Sequence, residues 1–215
     1  MTVAGKSLSR RERNKQEKLE RIIAASRKLF HSHGFEETTT AQIAREAGVA
    51  EGTLFLYAAK KEDLLILAFV EEMKEVVMAA FETIDQSAPL IEQFLSFFQK
   101  IFAYHHADRK LAKAVLREVG FYREPGLGAQ VENIPIAYCL TLIVERAKKQ
   151  GLIDPGLPTM NAAMMAFSAY WYYLRDWVNE RISAQDFASG LRDGLNILHT
   201  GLQPAAARQD GRDGS

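Results

Sequence analysis

The sequence predicts an all-α protein of about nine helices, and three observations carry this prediction. Apolar residues recur every three or four positions along nearly the whole chain, which is the spacing of one helix face. Proline and glycine residues separate these periodic segments, and the alternating pattern of a β-strand is absent. Residues 39–57 have the pattern of two short helices joined by a tight turn. We therefore expect an N-terminal three-helix unit built around a helix-turn-helix, followed by a larger helical domain.

The helix-turn-helix segment has a suitable residue at each position where its geometry is demanding. Thr39 can cap the first helix, and Gln42, three residues later, completes a capping box. Ala44 is small where the two helices would cross. Gly48 ends the first helix at a position that favours positive φ, where other residues would be strained. A second helix held out in this way is a probe for the major groove of DNA.

The distribution of charge favours a nucleic-acid partner, although the total does not. The chain has 27 basic and 27 acidic residues, so its formal net charge is zero. Residues 1–28, however, contain nine basic and three acidic residues, a local balance of +6. Basic residues ahead of a helix-turn-helix can contact DNA phosphates. The alternative is a solvated, disordered tail.

Helical periodicity predicts the bounds of the remaining elements. The first helix should end before Gly34, and residues 154–158 should form a loop. One later helix contains Pro135 and is expected to bend there. In addition to the helix-turn-helix, the expected helices span residues 14–32, 61–81, 89–105, 110–122, 130–150, 159–180 and 184–202.

Length and composition argue against several other classes of protein. At 215 residues the chain can bury a core without a metal ion, and its single cysteine, Cys139, cannot form an internal disulfide. The charged N-terminus differs from a secretory signal, which favours a cytoplasmic location. The longest apolar stretch, Ala162–Leu174, is too short to cross a bilayer, so we expect no membrane partner. The sequence has no pattern of a nucleophile with its base, a metal cluster or a phosphate loop, so we expect no enzyme activity and no cofactor.

A long run of residues with specific spacing extends from the first helix to the start of the fourth. It consists of Ile22, Ala25, Leu29, Phe30, His33-Gly34-Phe35, Thr39-Thr40, Ile43-Ala44, Ala47-Gly48-Val49, Gly52-Thr53-Leu54-Phe55-Leu56-Tyr57 and Lys61-Glu62-Asp63-Leu64-Leu65. With this run, the first 65 residues resemble the TetR (tetracycline repressor) family of bacterial transcriptional regulators. The resemblance implies an all-helical regulator that binds DNA as a dimer and responds to a ligand.

The same resemblance implies roles for individual residues of the helix-turn-helix. Thr40 and Lys61 are expected to contact phosphate, and Lys60 is expected to add a second contact. Phe55 stands where the family usually has tyrosine, so one hydroxyl contact is lost. The second helix offers no Arg or Asn for a bidentate base contact, which leaves much of the specificity to shape and phosphate contacts. The expected DNA contacts are Thr39, Thr40, Glu51, Gly52, Thr53, Phe55, Leu56, Tyr57, Lys60 and Lys61.

The last two helices are expected to form a homodimer. One recognition helix covers only half of a two-fold operator, so two copies of the chain are required. Gly190 and Gly194 lie four residues apart on one side of the final helix, where small residues allow a close approach between helices. The family resemblance implies a four-helix interface, and the alternative is packing of these helices within one chain.

The central helices are expected to hold a small hydrophobic effector, because such pockets are mostly apolar with a few polar groups. His105 and His106 point about 100° apart on a helix and make a poor metal chelate, so we expect a surface or capping role for them and no metal site. The expected lining residues are Phe98, Phe102, Tyr122, Tyr138, Met164, Phe167 and Trp171.

The sequence thus predicts a ligand-responsive, DNA-binding transcriptional regulator: a dimeric repressor that a small hydrophobic effector releases from a palindromic, double-stranded operator. We expect it in the cytoplasm, associated with the nucleoid when bound to DNA. Two alternatives remain open, namely an activator of the same fold and an all-α interaction or adaptor protein without an effector. The predicted domains are a basic flexible arm (1–13), a helix-turn-helix DNA-binding domain (14–60), a ligand-binding and dimerisation domain (61–203) and a disordered tail (204–215).

Overall fold

The computed structural model describes residues 9–121 and 131–203, and these residues form an all-α structure. Nine helices and no β-strand lie in the two ranges, which confirms the predicted fold class. Tyr122, residues 1–8 of the predicted arm and the predicted tail at 204–215 lie outside the described residues. The helices are α1 (Arg10–His33), α2 (Thr40–Glu46), α3 (Glu51–Leu54), α4 (Lys61–Glu82), α5 (Leu90–Ala107), α6 (Arg109–Phe121), α7 (Ile136–Lys149), α8 (Thr159–Val178) and α9 (Ala184–Leu202).

Helix α1 begins at Arg10, four residues before the predicted start at Asn14. The cause is a capping box that the sequence analysis missed. The Ser9 hydroxyl accepts a hydrogen bond from the backbone N–H of Glu12 at 3.2 Å, and the Glu12 carboxylate accepts one from the N–H of Ser9 at 2.8 Å. The cap satisfies backbone donors at the helix start and gives Arg10–Arg13, part of the predicted arm, a helical conformation.

The helix-turn-helix has the predicted turn chemistry and a shorter second helix. Thr39 and Gln42 form the expected capping box at the start of α2. Gly48 has a φ of +63°, which confirms its predicted left-handed conformation. Helix α3 itself has only the four residues Glu51–Leu54, and hydrogen-bonded turns continue it to Ala58. A glycine and a β-branched threonine within α3 lower its helix propensity, and no side chain caps its start.

Two compact units make up the chain, which passes from one to the other within α4, within α6 and after Val131. The first consists of Met1–Glu71 with Arg117–Val131, and the second of Glu72–Leu116 with Glu132–Ser215. The core of the first unit is contributed by α1, α2, α3 and the start of α4. Its fully buried apolar side chains include Ile22, Phe30, Ile43, Leu54 and Leu64.

Stacked aromatic rings from α5, α8 and α9 fill the core of the second unit. The Phe98 and Tyr170 rings stack with centroids 4.8 Å apart, and those of Phe102 and Phe187 stack at 3.8 Å. Gly190 also has a role inside this unit, because a Cβ atom there would lie 2.4 Å from Cε1 of Tyr173. The glycine that was expected to admit a second chain therefore admits a tyrosine of the same chain.

The predicted helix through Pro135 is divided instead of bent. Helix α7 begins at Ile136, directly after this proline, whereas the prediction started it near Gln130. Residues 131–132 are helical, and a turn separates them from α7. Proline lacks a backbone N–H and clashes with the preceding turn of a helix, so it is well placed next to a helix start and poorly placed inside one.

The expectation of a surface or capping role is wrong for His105. Its side chain is only 4% exposed, and burial lowers the pKa of His105 from its ordinary value of 6.5 to about 4. His106 is exposed, as expected, and its ring lies against Phe102 and Trp177. The two neighbouring histidines therefore face different environments.

Burial of neutral His105 should make stability depend on pH. The unfolded chain binds the proton near pH 6.5 and the folded chain only near pH 4, so the stabilisation is complete above about pH 6.5 and declines as the pH falls toward about pH 4. We expect His105→Gln to reduce this loss, as measured by thermal unfolding at a series of pH values. His106→Gln is the matched control, and an equal effect of both variants on the acid slope would contradict the assignment.

Candidate nucleic-acid interface

Helix α3 and the turn after it expose apolar side chains to solvent. Leu56 is 80% exposed and Phe55 is 48% exposed, whereas Leu54 between α3 and the core is completely buried. Gly52 is exposed, and a Cβ atom there would have no neighbour within 4 Å. An apolar surface of this kind suits contacts with thymine methyl groups in the major groove.

The polar residues expected at the same surface are connected to one another. The Thr40 hydroxyl donates a hydrogen bond of 2.9 Å to the carboxylate of Glu51, which joins the first turn of α2 to the start of α3. Thr39 is exposed and caps α2, and Thr53 is half-buried. Glu51 places a negative charge on the surface, and a carboxylate can accept a hydrogen bond from a base amino group but repels phosphate.

The two lysines at the start of α4, Lys60 and Lys61, have different surroundings. The Lys61 ammonium donates hydrogen bonds to the backbone carbonyls of Phe35 at 2.8 Å and Glu36 at 3.2 Å. It also lies over the Phe35 ring, 4.4 Å from the centroid. An ammonium has three donors, so Lys61 retains the capacity for a phosphate contact. The side chain of Lys60 is exposed, and its backbone N–H donates to the Asp63 carboxylate at 3.1 Å.

A basic groove lies between the N-terminal half of α1 and the turn after α3. The Tyr57 hydroxyl crosses it and donates to the backbone carbonyl of Lys15 at 3.3 Å. The groove, called the α1 groove below, has a volume of about 750 Å³. It is lined by Arg10, Arg11, Asn14, Lys15, Lys18, Leu56 and Tyr57. Sequence reasoning found the basic segment and the helix-turn-helix separately, whereas the fold brings them together.

The residues predicted to line an effector pocket separate into two groups. Phe98 and Phe102 belong to the aromatic core of the second unit, and Phe167 and Trp171 are half-buried with ring centroids 6.1 Å apart. Met164 and Tyr138 instead lie at the surface of the isolated chain, 36% and 60% exposed. Tyr170 was not among the predicted pocket residues, although its ring contacts those of Phe98 and Phe167. Only its position on the strongly apolar helix α8 indicated that it would be buried.

Comparison with known proteins shows what the first unit resembles. The family model of bacterial regulatory proteins, tetR family, matches residues 22–68. These residues contain α2, α3 and the start of α4, which is the surface described above. Over these residues the chain resembles the tetR family of bacterial regulatory proteins. It is a ligand-responsive, DNA-binding transcriptional regulator, and the sequence prediction of that function is confirmed.

Similarity to known proteins extends well beyond residues 22–68. The fatty acid metabolism regulator protein of Bacillus subtilis is 29% identical over 170 residues, which covers 77% of this chain and 86% of the relative. The crystal structure of the transcriptional regulator FadR from Bacillus subtilis, in complex with stearoyl-CoA, is 27% identical, with a TM-score of 0.65, and covers 86% of this chain and 99% of that chain. FadR from Thermus thermophilus, a TetR-family repressor in complex with lauroyl-CoA, has the same fold, with a TM-score of 0.65 at 24% identity over 86% of this chain and 95% of that chain.

The described helices also bear on a membrane partner and on a metal site. None of the helices in residues 9–121 and 131–203 is both long and apolar enough to span a membrane. Within the same residues, no three His, Cys, Asp or Glu side chains are grouped as metal ligands would be. Burial raises the pKa of the Cys139 thiol to about 11, which keeps it protonated at neutral pH.

The α1 groove predicts a defined change in the salt dependence of DNA binding. Each lost phosphate contact lowers the slope of log affinity against log salt by about one. We expect Lys15→Gln and Lys18→Gln each to lower the slope by about one, measured by fluorescence anisotropy with duplex DNA at several salt concentrations. Lys149→Gln, on an exposed lysine of the second unit, is the matched control. If both groove variants had the same slope as the wild type, Lys15 and Lys18 would make no phosphate contact, and the α1 groove would not be part of the DNA interface.

Proposed function

We propose that this tetR-family regulator is a dimeric repressor that a long-chain fatty acyl-CoA releases from its operator. The extent of the similarity carries the proposal. The family model ends at residue 68, but the match to the fatty acid metabolism regulator covers 170 residues and therefore includes much of the second unit. The FadR structure from Bacillus subtilis, which contains stearoyl-CoA, is similar over 86% of this chain. This narrows the predicted small hydrophobic effector to one chemical class.

The second unit has the composition that an acyl chain requires. Phe98, Phe102, Phe167 and Trp171 offer aromatic surface from α5 and α8. Each buried methylene group contributes about 0.8 kcal/mol of favourable transfer free energy, so a long chain binds strongly to such a surface. We assign acyl-chain binding to this group. The exposed residues Tyr138 and Met164 are kept as further candidates, as is Tyr122, which lies outside the described residues.

We place the homodimer interface on α8 and α9. Met165 and Tyr172 lie seven residues apart on one face of α8 and are 57% and 51% exposed in the isolated chain. Ile197 on α9 is 75% exposed. Large exposed apolar side chains of this kind are typical of a surface that a partner covers. Association of two copies supplies the two-fold symmetry that a palindromic operator requires.

In the proposed DNA complex, the predicted contacts of the helix-turn-helix divide by chemistry. Phe55 and Leu56 are assigned to base edges through apolar contact, and Gly52 permits a close approach. Thr40, Lys60 and Lys61 are assigned to phosphates, as are the cations of the α1 groove. The remaining predicted contacts are assigned the role of positioning α3 and the turn after it on the DNA. They are Thr39, Glu51, Thr53 and Tyr57.

The proposed release from DNA requires that the effector bind two conformations of the regulator with different affinities. An acyl-CoA that binds one conformation of the second unit more tightly than the other shifts the population toward it. Helix α4 begins at Lys61 and continues into the second unit, so it offers a direct covalent path between the effector region and the DNA-binding surface. The regulator is proposed to act in the cytoplasm without a resident cofactor and without catalytic activity.

Selection from random duplexes tests the proposed function. We expect the chain to enrich a palindromic sequence, and we expect stearoyl-CoA to release it from that sequence in an anisotropy assay. Coenzyme A without an acyl chain should have no effect at the same concentration, because the apolar contribution is missing. Enrichment without release by acyl-CoAs of any length would retain the DNA-binding assignment and refute the effector class.

A single charged substitution tests the dimer interface. Ile197→Asp should reduce the mass measured by light scattering from that of two chains to that of one, because a carboxylate would be buried without a partner. Leu152→Asp is the control, since Leu152 is 39% exposed but lies outside α8 and α9. A dimeric mass for Ile197→Asp, or an equal loss in both variants, would place the interface elsewhere.

A further inference from the structure

A buried hydroxyl group in the second unit has no partner in the described structure. Tyr170 on α8 is 1% exposed, and its hydroxyl makes no hydrogen bond. Burial raises the pKa of Tyr170 well above its ordinary value, so the group stays protonated and is available as a donor. Buried polar groups in folded proteins nearly always have a partner, so a hydroxyl without one requires an explanation, and a bound ligand can supply the missing partner.

Aromatic rings from three helices surround the Tyr170 ring. Phe98 of α5 stacks on it at 4.8 Å with an interplanar angle of 10°, and the Phe187 ring of α9 meets it edge to face at 5.9 Å and 88°. Phe167, on its own helix, lies 6.3 Å away. These contacts fix the plane of the ring, and the hydroxyl lies in that plane, so the direction in which it can donate is set before any ligand binds.

We infer that the Tyr170 hydroxyl donates a hydrogen bond to the thioester carbonyl oxygen of the acyl-CoA effector. The inference rests on the proposed function and specifies which polar atom of the effector enters the core. The three neighbouring rings are uncharged, so a phosphate or a carboxylate would lose its hydration there without a compensating cation. A thioester carbonyl is a neutral acceptor, and it is bonded directly to the hydrocarbon chain.

A hydrogen bond from Tyr170 to the thioester carbonyl would fix the position of the effector along its binding site. The acyl chain extends from Tyr170 into the aromatic group, and the charged part of coenzyme A remains outside it. Tyr170 then distinguishes a thioester from an otherwise similar molecule that lacks the carbonyl. The distinction is large when a buried donor is left without an acceptor, because its desolvation is then uncompensated.

The test compares two ligands and two proteins. The ligands are stearoyl-CoA and its S-octadecyl thioether, in which a methylene group replaces the carbonyl. We expect wild-type protein to bind the thioester about tenfold more tightly than the thioether, measured by calorimetry. Tyr170→Phe keeps the ring and removes the hydroxyl, so it should bind the two ligands with equal affinity. Tyr173→Phe removes a hydroxyl from a half-buried tyrosine of the same helix and should retain the tenfold preference.

Thermal unfolding without ligand provides the second readout. Tyr170→Phe should be at least as stable as wild type, since it removes a buried donor that has no partner. A preference for the thioester that persists in Tyr170→Phe would overturn the inference, and so would a marked loss of stability with unchanged preference, the result expected of a hydroxyl held by internal water. If wild-type protein binds neither ligand, the proposed effector class fails and the inference fails with it, whereas binding of both with equal affinity overturns the inference alone.

Discussion

Helix α3 has four residues, and a helix of that length has no stability of its own in water. Its position depends on the burial of Leu54, which is completely inaccessible in the core of the first unit. The hydrogen bond from Thr40 to Glu51 and the bond from Tyr57 to the α1 backbone hold its two ends. The DNA-binding surface is therefore a property of the three-helix unit. A substitution in the core of this unit would therefore displace Leu56 and its exposed neighbours, even though those residues themselves were unchanged.

The aromatic core of the second unit contains buried polar groups in addition to its apolar side chains. His105 is buried and neutral near physiological pH, and Tyr170 is buried with an unsatisfied hydroxyl. A core built only for stability would replace both by apolar residues of similar shape. Their retention is consistent with a unit that accepts a ligand, since a site that recognises a polar atom must keep a donor ready for it. The stability of the unliganded state is then lower than the packing alone would allow.

Local features of the chain were predictable where the determining contacts are close in sequence. The Thr39–Gln42 capping box and the positive φ of Gly48 follow from residues at most a few positions apart, and both are observed. The start of α1 was predicted late only because the equivalent signal at Ser9 was overlooked. The division at Pro135 was predicted as a bend, because a proline inside a periodic segment is compatible with a kink and with a helix start.

The sequence by itself determined the helical class, most helix bounds and the DNA-binding segment, because helical periodicity, caps and turns are encoded within a few residues of one another. Tertiary structure alone decided which of these residues meet. It combined the basic residues of α1 with Tyr57 in one groove, placed Tyr173 against Gly190 and buried His105 beside the exposed His106. It also enclosed the Tyr170 hydroxyl among rings from three helices. Periodicity identifies the face on which a side chain lies, but the burial and pairing of that side chain depend on elements that are distant in the chain.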